Sequence, residues 1–158
     1  MYRVGFSKDI HRLVSGRPLI LGGIHIPFHL GEDAHSDGDV VYHAIGESIL
    51  GALALGDLGH HFPPEDESLK NIDSALIMKK VISLMKEKGY ELSNVDVHIV
   101  LEKPRLAPYI SEMRKNVAEL FASEISNVSI TVGTNEGVGD VGLNKAVEAV
   151  SVILLKKV

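Results

Sequence analysis

The hydrophobic and polar positions from Tyr2 to Leu13 read as a β-strand that begins with the chain and is interrupted at Lys8-Asp9. Leu19-Ile20-Leu21, Gly22-Gly23 and Ile24-His25-Ile26 carry the pattern of a tight hairpin, because two glycines supply the positive φ angles of a primed turn. Pro27 to Gly38 reads as a loop. The period then becomes helical over about Asp37 to Leu55, with Val41, Ile45, Ser48, Ile49 and Ala52 on one face and Ser36 with Asp39 resembling a capping box. Gly56 to Asn71, with Pro63-Pro64 and several acids, is long for a connection and marks a functional loop or lid. A second helix is expected from the cap residue Asp73 to Gly89, burying Met78, Val81, Ile82 and Met85. Val95 to Leu101 alternates as a strand. A third helix follows Pro108 and turns Ile110, Met113, Val117 and Leu120 inward. Val128 to Val132 is a strand leading into a glycine-rich turn, Gly133 to Gly142, and the Val/Ile-rich segment Ala146 to Leu155 favours a last strand. Helices and strands alternate without repeat or linker. The expectation is an α/β fold, one domain across residues 1–158.

Composition narrows the class. A chain of 158 residues is close to one domain, and a globule of that size buries roughly 68–70% of its unfolded surface. With 45% hydrophobic and 23% charged residues, a disordered or fibrous chain is excluded. The net charge of −5 argues against nucleic acid as a partner. The apolar stretches Ile49 to Leu55 and Val147 to Leu155 fall short of the roughly 18–20 residues that span a membrane. The first residues lack a signal-peptide core, so a cytoplasmic protein is expected. There is no cysteine, which removes disulfides, thiolate catalysis and thiolate-bound metals. Any metal must sit on histidine and carboxylate, and the chain has eight histidines.

Asp9 and His11 are two apart on a strand, so a carboxylate and an imidazole share one face. A third ligand has candidates in His35, Asp37, Asp39 and His43. Asp39, His43 and Glu47 form one polar stripe on the first helix, and the same stripe is equally the wet face of an amphipathic helix. Asp96 and His98 repeat the Asp-x-His pattern on a later strand and are expected on a solvated face. Two histidines and one carboxylate leave zinc an open position, the pattern of a catalytic site. Lys103-Pro104-Arg105 is either a basic loop for phosphate or nucleotide, or a solvated turn. Gly133-Thr134-Asn135-Glu136-Gly137 offers a hydroxyl and a carboxylate that suit a phosphate and a harder cation such as Mg²⁺, or it is a turn with no ligand.

Taken in order, Asp9-Ile10-His11, Leu21-Gly22-Gly23, Ala34-His35-Ser36-Asp37-Gly38-Asp39, Leu53 to Gly59 with Phe62-Pro63, Asn94-Val95-Asp96, Lys103-Pro104-Arg105 and Thr134 with Glu136 resemble the 2-C-methyl-D-erythritol 2,4-cyclodiphosphate synthases of the non-mevalonate isoprenoid pathway. The resemblance covers nearly the whole chain. It implies an α/β sandwich, a mixed sheet packed on helices, assembled as a homotrimer with active sites at the subunit interfaces. It implies a metal-dependent phosphorus–oxygen lyase that cyclises a cytidyl-diphosphate substrate and releases CMP. On it, Asp9, His11 and His43 are zinc ligands, His35 and Thr134 stabilise the transition state, and Glu136 carries a second cation, Mg²⁺ or Mn²⁺. Ser36, Asp57 and Gly59 fall at contacts to the erythritol phosphate portion, and Phe62 at a further substrate contact. Leu101, Pro104, Arg105, Leu106 and Ala107 fall in the cytidine pocket of a neighbouring subunit, and Gly133 at a further substrate contact. Asp96 and His98 receive no role. The segment after Glu136 departs from the family pattern: Asp140 replaces an aromatic and Leu143 an arginine, at positions associated with the trimer's central channel. Lys8 replaces a phenylalanine before the metal-binding aspartate. The rivals to a synthase are a zinc phosphohydrolase and a metal-bearing protein without catalysis.

Overall fold

The first strand runs unbroken. In a computed structural model that describes residues 1–158, β1 spans Tyr2–Ser15 and pairs antiparallel with β7 (Ala146–Lys157), Lys8 opposite Val150 and Asp9 opposite Ala149. The expected break at Lys8-Asp9 is absent because both polar residues have a place. Lys8 meets Glu148 at 3.4 Å on one face of the sheet, and Asp9 turns into a cleft on the other. β2 (Leu19–Leu21) and β3 (Ile24–Ile26) form the hairpin at the expected residues, with Gly22 and Gly23 at φ 58° and 77°. The loop expected over Pro27 to Gly38 contains a short strand, β4 (Leu30–Glu32), which pairs with the end of β1.

Helix α1 covers Val40–Ala52 and buries Val41, Ile45, Ser48, Ile49 and Ala52 as its stripe predicts. Its cap is Asp39, whose side chain accepts from Tyr42 N–H, so the expected box from Ser36 does not form. After α2 (Leu58–His61) comes α3 (Ser74–Glu87), capped by Asp73. Strand β5 (Tyr90–Val100) starts five residues earlier than its clean alternation suggests, because its register shifts between Leu92 and Asn94. Helix α4 (Ile110–Phe121), β6 (Val128–Gly133) and the short α5 (Gly139–Gly142) complete the chain.

The main sheet has the order β4-β1-β7-β5-β6, with β5 and β6 parallel and the other neighbours antiparallel. The three long helices pack on one face. α1 lies on β1 and β7, with α3 against α1 and α4 against β6. The approach of α1 is close enough that a Cβ on Gly5 would lie 1.8 Å from the Ser48 carbonyl oxygen, so only glycine fits there. The core fills the space between sheet and helices, including Ile45, Ile49, Met78, Val97, Ile99 and Ile153. On the other face no element covers Tyr2, Val4, Phe6 and Ile10 of β1, which are 63%, 69%, 65% and 48% exposed. No helix is long and apolar enough to cross a membrane.

Candidate metal centre and substrate clefts

The pleat of β1 sends Gly5, Asp9 and Leu13 towards the helices and the even-numbered residues away. Asp9 and His11 thereby face α1, where His43 sits one turn from the start. Asp39 fixes that start. Fully buried, it accepts hydrogen bonds from the backbone N–H groups of Tyr42, Gly22 and Gly23 at 3.1, 3.0 and 2.8 Å, locking the hairpin turn to the helix. Burial pushes its carboxyl up to about 6 against those donors, which pull it down. The stripe of Asp39, His43 and Glu47 is therefore not a wet face. Glu47 Oε1 accepts from Leu58 N–H at 3.0 Å, and burial raises its carboxyl too.

Asp9 Oδ2 lies 3.3 Å from His11 Nε2 and 3.4 Å from His43 Nδ1, and ligand atoms of the three residues all fall within 4.8 Å of one another. Bonds of about 2.0–2.1 Å at tetrahedral angles put neighbouring ligand atoms about 3.3–3.4 Å apart, so a zinc-sized ion fits. The protons agree with this. His11 Nδ1 is 2.7 Å from the Gly38 carbonyl oxygen, an acceptor only, so that nitrogen carries the hydrogen and Nε2 presents a lone pair. Burial lowers the His11 pKa, opposed by the nearby Asp9 carboxylate, and favours the neutral ring that a metal needs. His43 Nε2 lies 2.9 Å from Ser74 Oγ and 3.2 Å from Ser36 Oγ, which leaves Nδ1 facing Asp9. A carboxylate oxygen and two ring nitrogens converge on one space. The donor set fits a cation.

The centre opens into a cleft of about 520 Å³ that His35, Ser36, Glu47, Gly59 and Phe62 also line. His35 Nε2 donates to the Asp66 carbonyl at 2.9 Å, and Ser36 Oγ accepts from Gly38 N–H at 3.1 Å. Asp57 is not part of this lining. Its carboxylate caps α2, accepting from His60 N–H at 2.8 Å and so holding Gly59 in place. Arg17 donates to the carbonyls of Glu32 and Ser36 and to Asn71 Oδ1 at 2.9, 2.7 and 2.9 Å, tying the His35 turn to the segment before α3.

Leu101, Pro104, Arg105, Leu106, Ala107, Gly133 and Thr134 meet around a second, smaller cleft of about 300 Å³. Glu102 joins its two loops, accepting from Gly137 N–H at 2.7 Å and Asn135 N–H at 3.3 Å. Glu136 is exposed in the turn between them, at φ 53°. The two clefts share no residue, and β7 and β5 stand between β1 and β6. Within one chain, then, Thr134 and His35 belong to different clefts. Asp96 and His98 are exposed on the uncovered sheet face, His98 Nδ1 bonding Thr131 Oγ1 at 2.8 Å. Sequence reasoning passed over Arg17, Ser74 and Glu102. Their only local signals were turn and helix-start positions, which many residues without a site occupy.

A family model described as the YgbB family matches residues 2–156. A curated relative from Carboxydothermus hydrogenoformans, named 2-C-methyl-D-erythritol 2,4-cyclodiphosphate synthase, is 48% identical over 158 residues, covering 100% of this chain and 97% of its own. One of the same name from Geobacillus sp. is 46% identical over 157 residues, with 99% of both chains covered. Among solved structures, IspF of Plasmodium falciparum in complex with CDP superposes with a TM-score of 0.87 at 32% identity, covering 99% of this chain and 96% of that one. The bifunctional IspDF from Campylobacter jejuni superposes at 0.96, also at 32% identity, and this chain spans 43% of its length.

Proposed function

The chain belongs to the YgbB family of 2-C-methyl-D-erythritol 2,4-cyclodiphosphate synthases, and we propose that its two clefts are the halves of that enzyme's active site, joined between neighbouring copies. The reaction closes 4-diphosphocytidyl-2-C-methyl-D-erythritol 2-phosphate into the 2,4-cyclodiphosphate and releases CMP, a step of isoprenoid precursor synthesis. An oxygen of the 2-phosphate attacks the β-phosphorus of the diphosphate. The bond from that phosphorus to the oxygen bridging to CMP breaks, and CMP departs with the electron pair. No protein nucleophile is consumed, so a cysteine-free chain without a Ser-His-Asp set is adequate to the task.

What the protein supplies is approach and charge. Holding two anionic groups in line is worth about 7–11 kcal/mol at most. Asp9, His11 and His43 would hold zinc, and Glu136 a second, harder cation such as Mg²⁺ or Mn²⁺. Divalent ions at these places supply Lewis-acid neutralisation of phosphate charge. Ser36 lies in the metal cleft beside Gly59 and Phe62, where it would bind the erythritol phosphate portion, and His35 lines the same cleft, where it would stabilise the transition state, with Asp57 fixing the turn that carries Gly59. Thr134 brings a hydroxyl from the other half, where Leu101 to Ala107 and Gly133 form the nucleotide pocket. Assembly of several copies, for which the family resemblance implies a homotrimer, is supported by two features together. Each chain carries two separate half-sites, and one face of its sheet presents uncovered Tyr2, Val4, Phe6 and Ile10.

The observation that carries the reading is the convergence of one carboxylate oxygen and two ring nitrogens in a cleft large enough for a phosphorylated sugar. ³¹P NMR of the purified protein with the cytidyl-diphosphate substrate, Zn²⁺ and Mg²⁺ tests it. CMP and a cyclic diphosphate with no solvent oxygen incorporated are expected. Intact substrate, or a linear product carrying ¹⁸O from labelled water, overturns the assignment in favour of a binding protein or a phosphohydrolase.

A further inference from the structure

Behind the proposed metal centre, on the side away from the cleft, His43 is tied into a short chain of side chains. Its Nε2 lies 2.9 Å from Ser74 Oγ, and Ser74 Oγ in turn donates to Asp37 Oδ1 at 2.5 Å. A hydroxyl has one proton. With that proton committed to the carboxylate, Ser74 offers His43 a lone pair, so Nε2 must be the nitrogen that carries hydrogen. Nδ1, the nitrogen beside Asp9, is left bare.

Neither partner is free to drift. Ser74 is fully buried as the first residue of α3, and its backbone N–H donates to Asp37 Oδ2 at 3.0 Å. Asp37 Oδ1 also accepts from Asp39 N–H at 3.1 Å, and the Asp37 backbone N–H donates to the Ile72 carbonyl at 3.0 Å. The start of α3 thus grips the loop that leads into α1, and the imidazole is aimed from both. Ser36 Oγ stands farther from the same nitrogen, at 3.2 Å, and already accepts from Gly38 N–H.

We propose that Ser74 and Asp37 are positioning residues for the cation: they orient the His43 ring, fix its tautomer and thereby set the affinity of the centre. The inference rests on Asp9, His11 and His43 being the metal centre. Removing a hydrogen-bond partner behind a ligating histidine costs roughly 10–100-fold in metal affinity.

Zn²⁺ affinity, measured by competition with a chromophoric chelator on the full chain, is the test. The visible absorption of the Co²⁺-loaded protein reports ligand geometry alongside it. Ser74→Ala should weaken Zn²⁺ binding by roughly 10–100-fold and shift the Co²⁺ bands. Ser74→Thr, which keeps a hydroxyl, should recover most of the affinity. Asp37→Asn keeps the shape but not the charge, should fall between them, and supplies the measurement if Ser74→Ala does not fold. A purely structural role would lower the unfolding temperature of the metal-free protein and leave the affinity and spectrum of the folded fraction unchanged. Parental affinity and an unchanged spectrum in both Ser74→Ala and Asp37→Asn, with binding lost in His43→Ala, overturn the inference and leave the centre standing. Parental binding in His43→Ala overturns the metal centre itself.

Discussion

Glu32 shows what a single buried acid does to this fold. It has no exposed surface; Oε2 accepts from Ile20 N–H at 3.0 Å while Oε1 has no partner. Burial pushes its pKa from 4.5 up to about 9, so it is neutral in the folded protein at pH 7. The unfolded chain releases that proton above about 4.5, and the folded one keeps it. The contribution is therefore complete below pH 4.5 and is lost as pH rises towards about 9. Through that window the slope is about 1.4 kcal/mol per pH unit. Urea unfolding of the parent and of Glu32→Gln between pH 5 and 9 should show the parent's stability falling more steeply with pH by about that slope, over whatever slope Asp39 and the other groups give both proteins; equal slopes would refute the neutral carboxyl. Such a residue reads in the sequence as an ordinary loop acid. Asp9 and His11 were legible, because period-two geometry alone puts them on one face. The choice of His43 over Asp39 and Glu47 was not. All three share the helix stripe, and only the seating of α1 on β1 points one of them at Asp9. The resemblance picked out His43 where spacing left it open.

Among the elements, the hairpin, α1, α3, α4 and the last strand are where periodicity and glycine placed them, because each buries a face whose pattern is written locally. The unbroken β1 and the short β4 were less legible, since pairing partners distant in sequence decide them. The clamp at Arg17 is of the same kind. One planar guanidinium reaches the end of β4, the turn carrying His35 and Ser36, and Asn71 before α3, while Asn71 N–H donates to the His35 carbonyl at 2.6 Å. Arg17→Lys keeps the charge but offers one nitrogen where three separated donors were used. It should speed amide exchange across residues 62–72 and lower kcat by up to about 100-fold through misplacement of His35. Exchange and kcat at parental values would show that backbone hydrogen bonds alone hold the turn.

At the scale of the whole molecule, the half-sites make a quantitative claim. The metal cleft lies beside β1 and the nucleotide cleft at the end of β5 and β6, with β7 between β1 and β5, so the two clefts stand apart within one chain. On the proposed shared site, a complete centre takes the metal half of one chain and the nucleotide half of the next, a head-to-tail contact that closes into a ring. His43→Ala damages one half and Thr134→Ala the other, and each alone should be nearly inactive. In oligomers assembled from an equal mixture, a site is intact when its metal half comes from the Thr134→Ala chain and its nucleotide half from the His43→Ala chain. Random assembly gives that combination in about one site in four, whatever the size of the ring. Co-refolded or co-expressed mixtures should therefore recover about a quarter of parental activity, while the two proteins mixed after assembly should recover none until subunits exchange. Sites contained within one chain predict no recovery at any mixing ratio. If mass spectrometry shows mixed oligomers and the mixture stays as inactive as its components, the shared site is refuted. The uncovered face of β1 would then need a different partner.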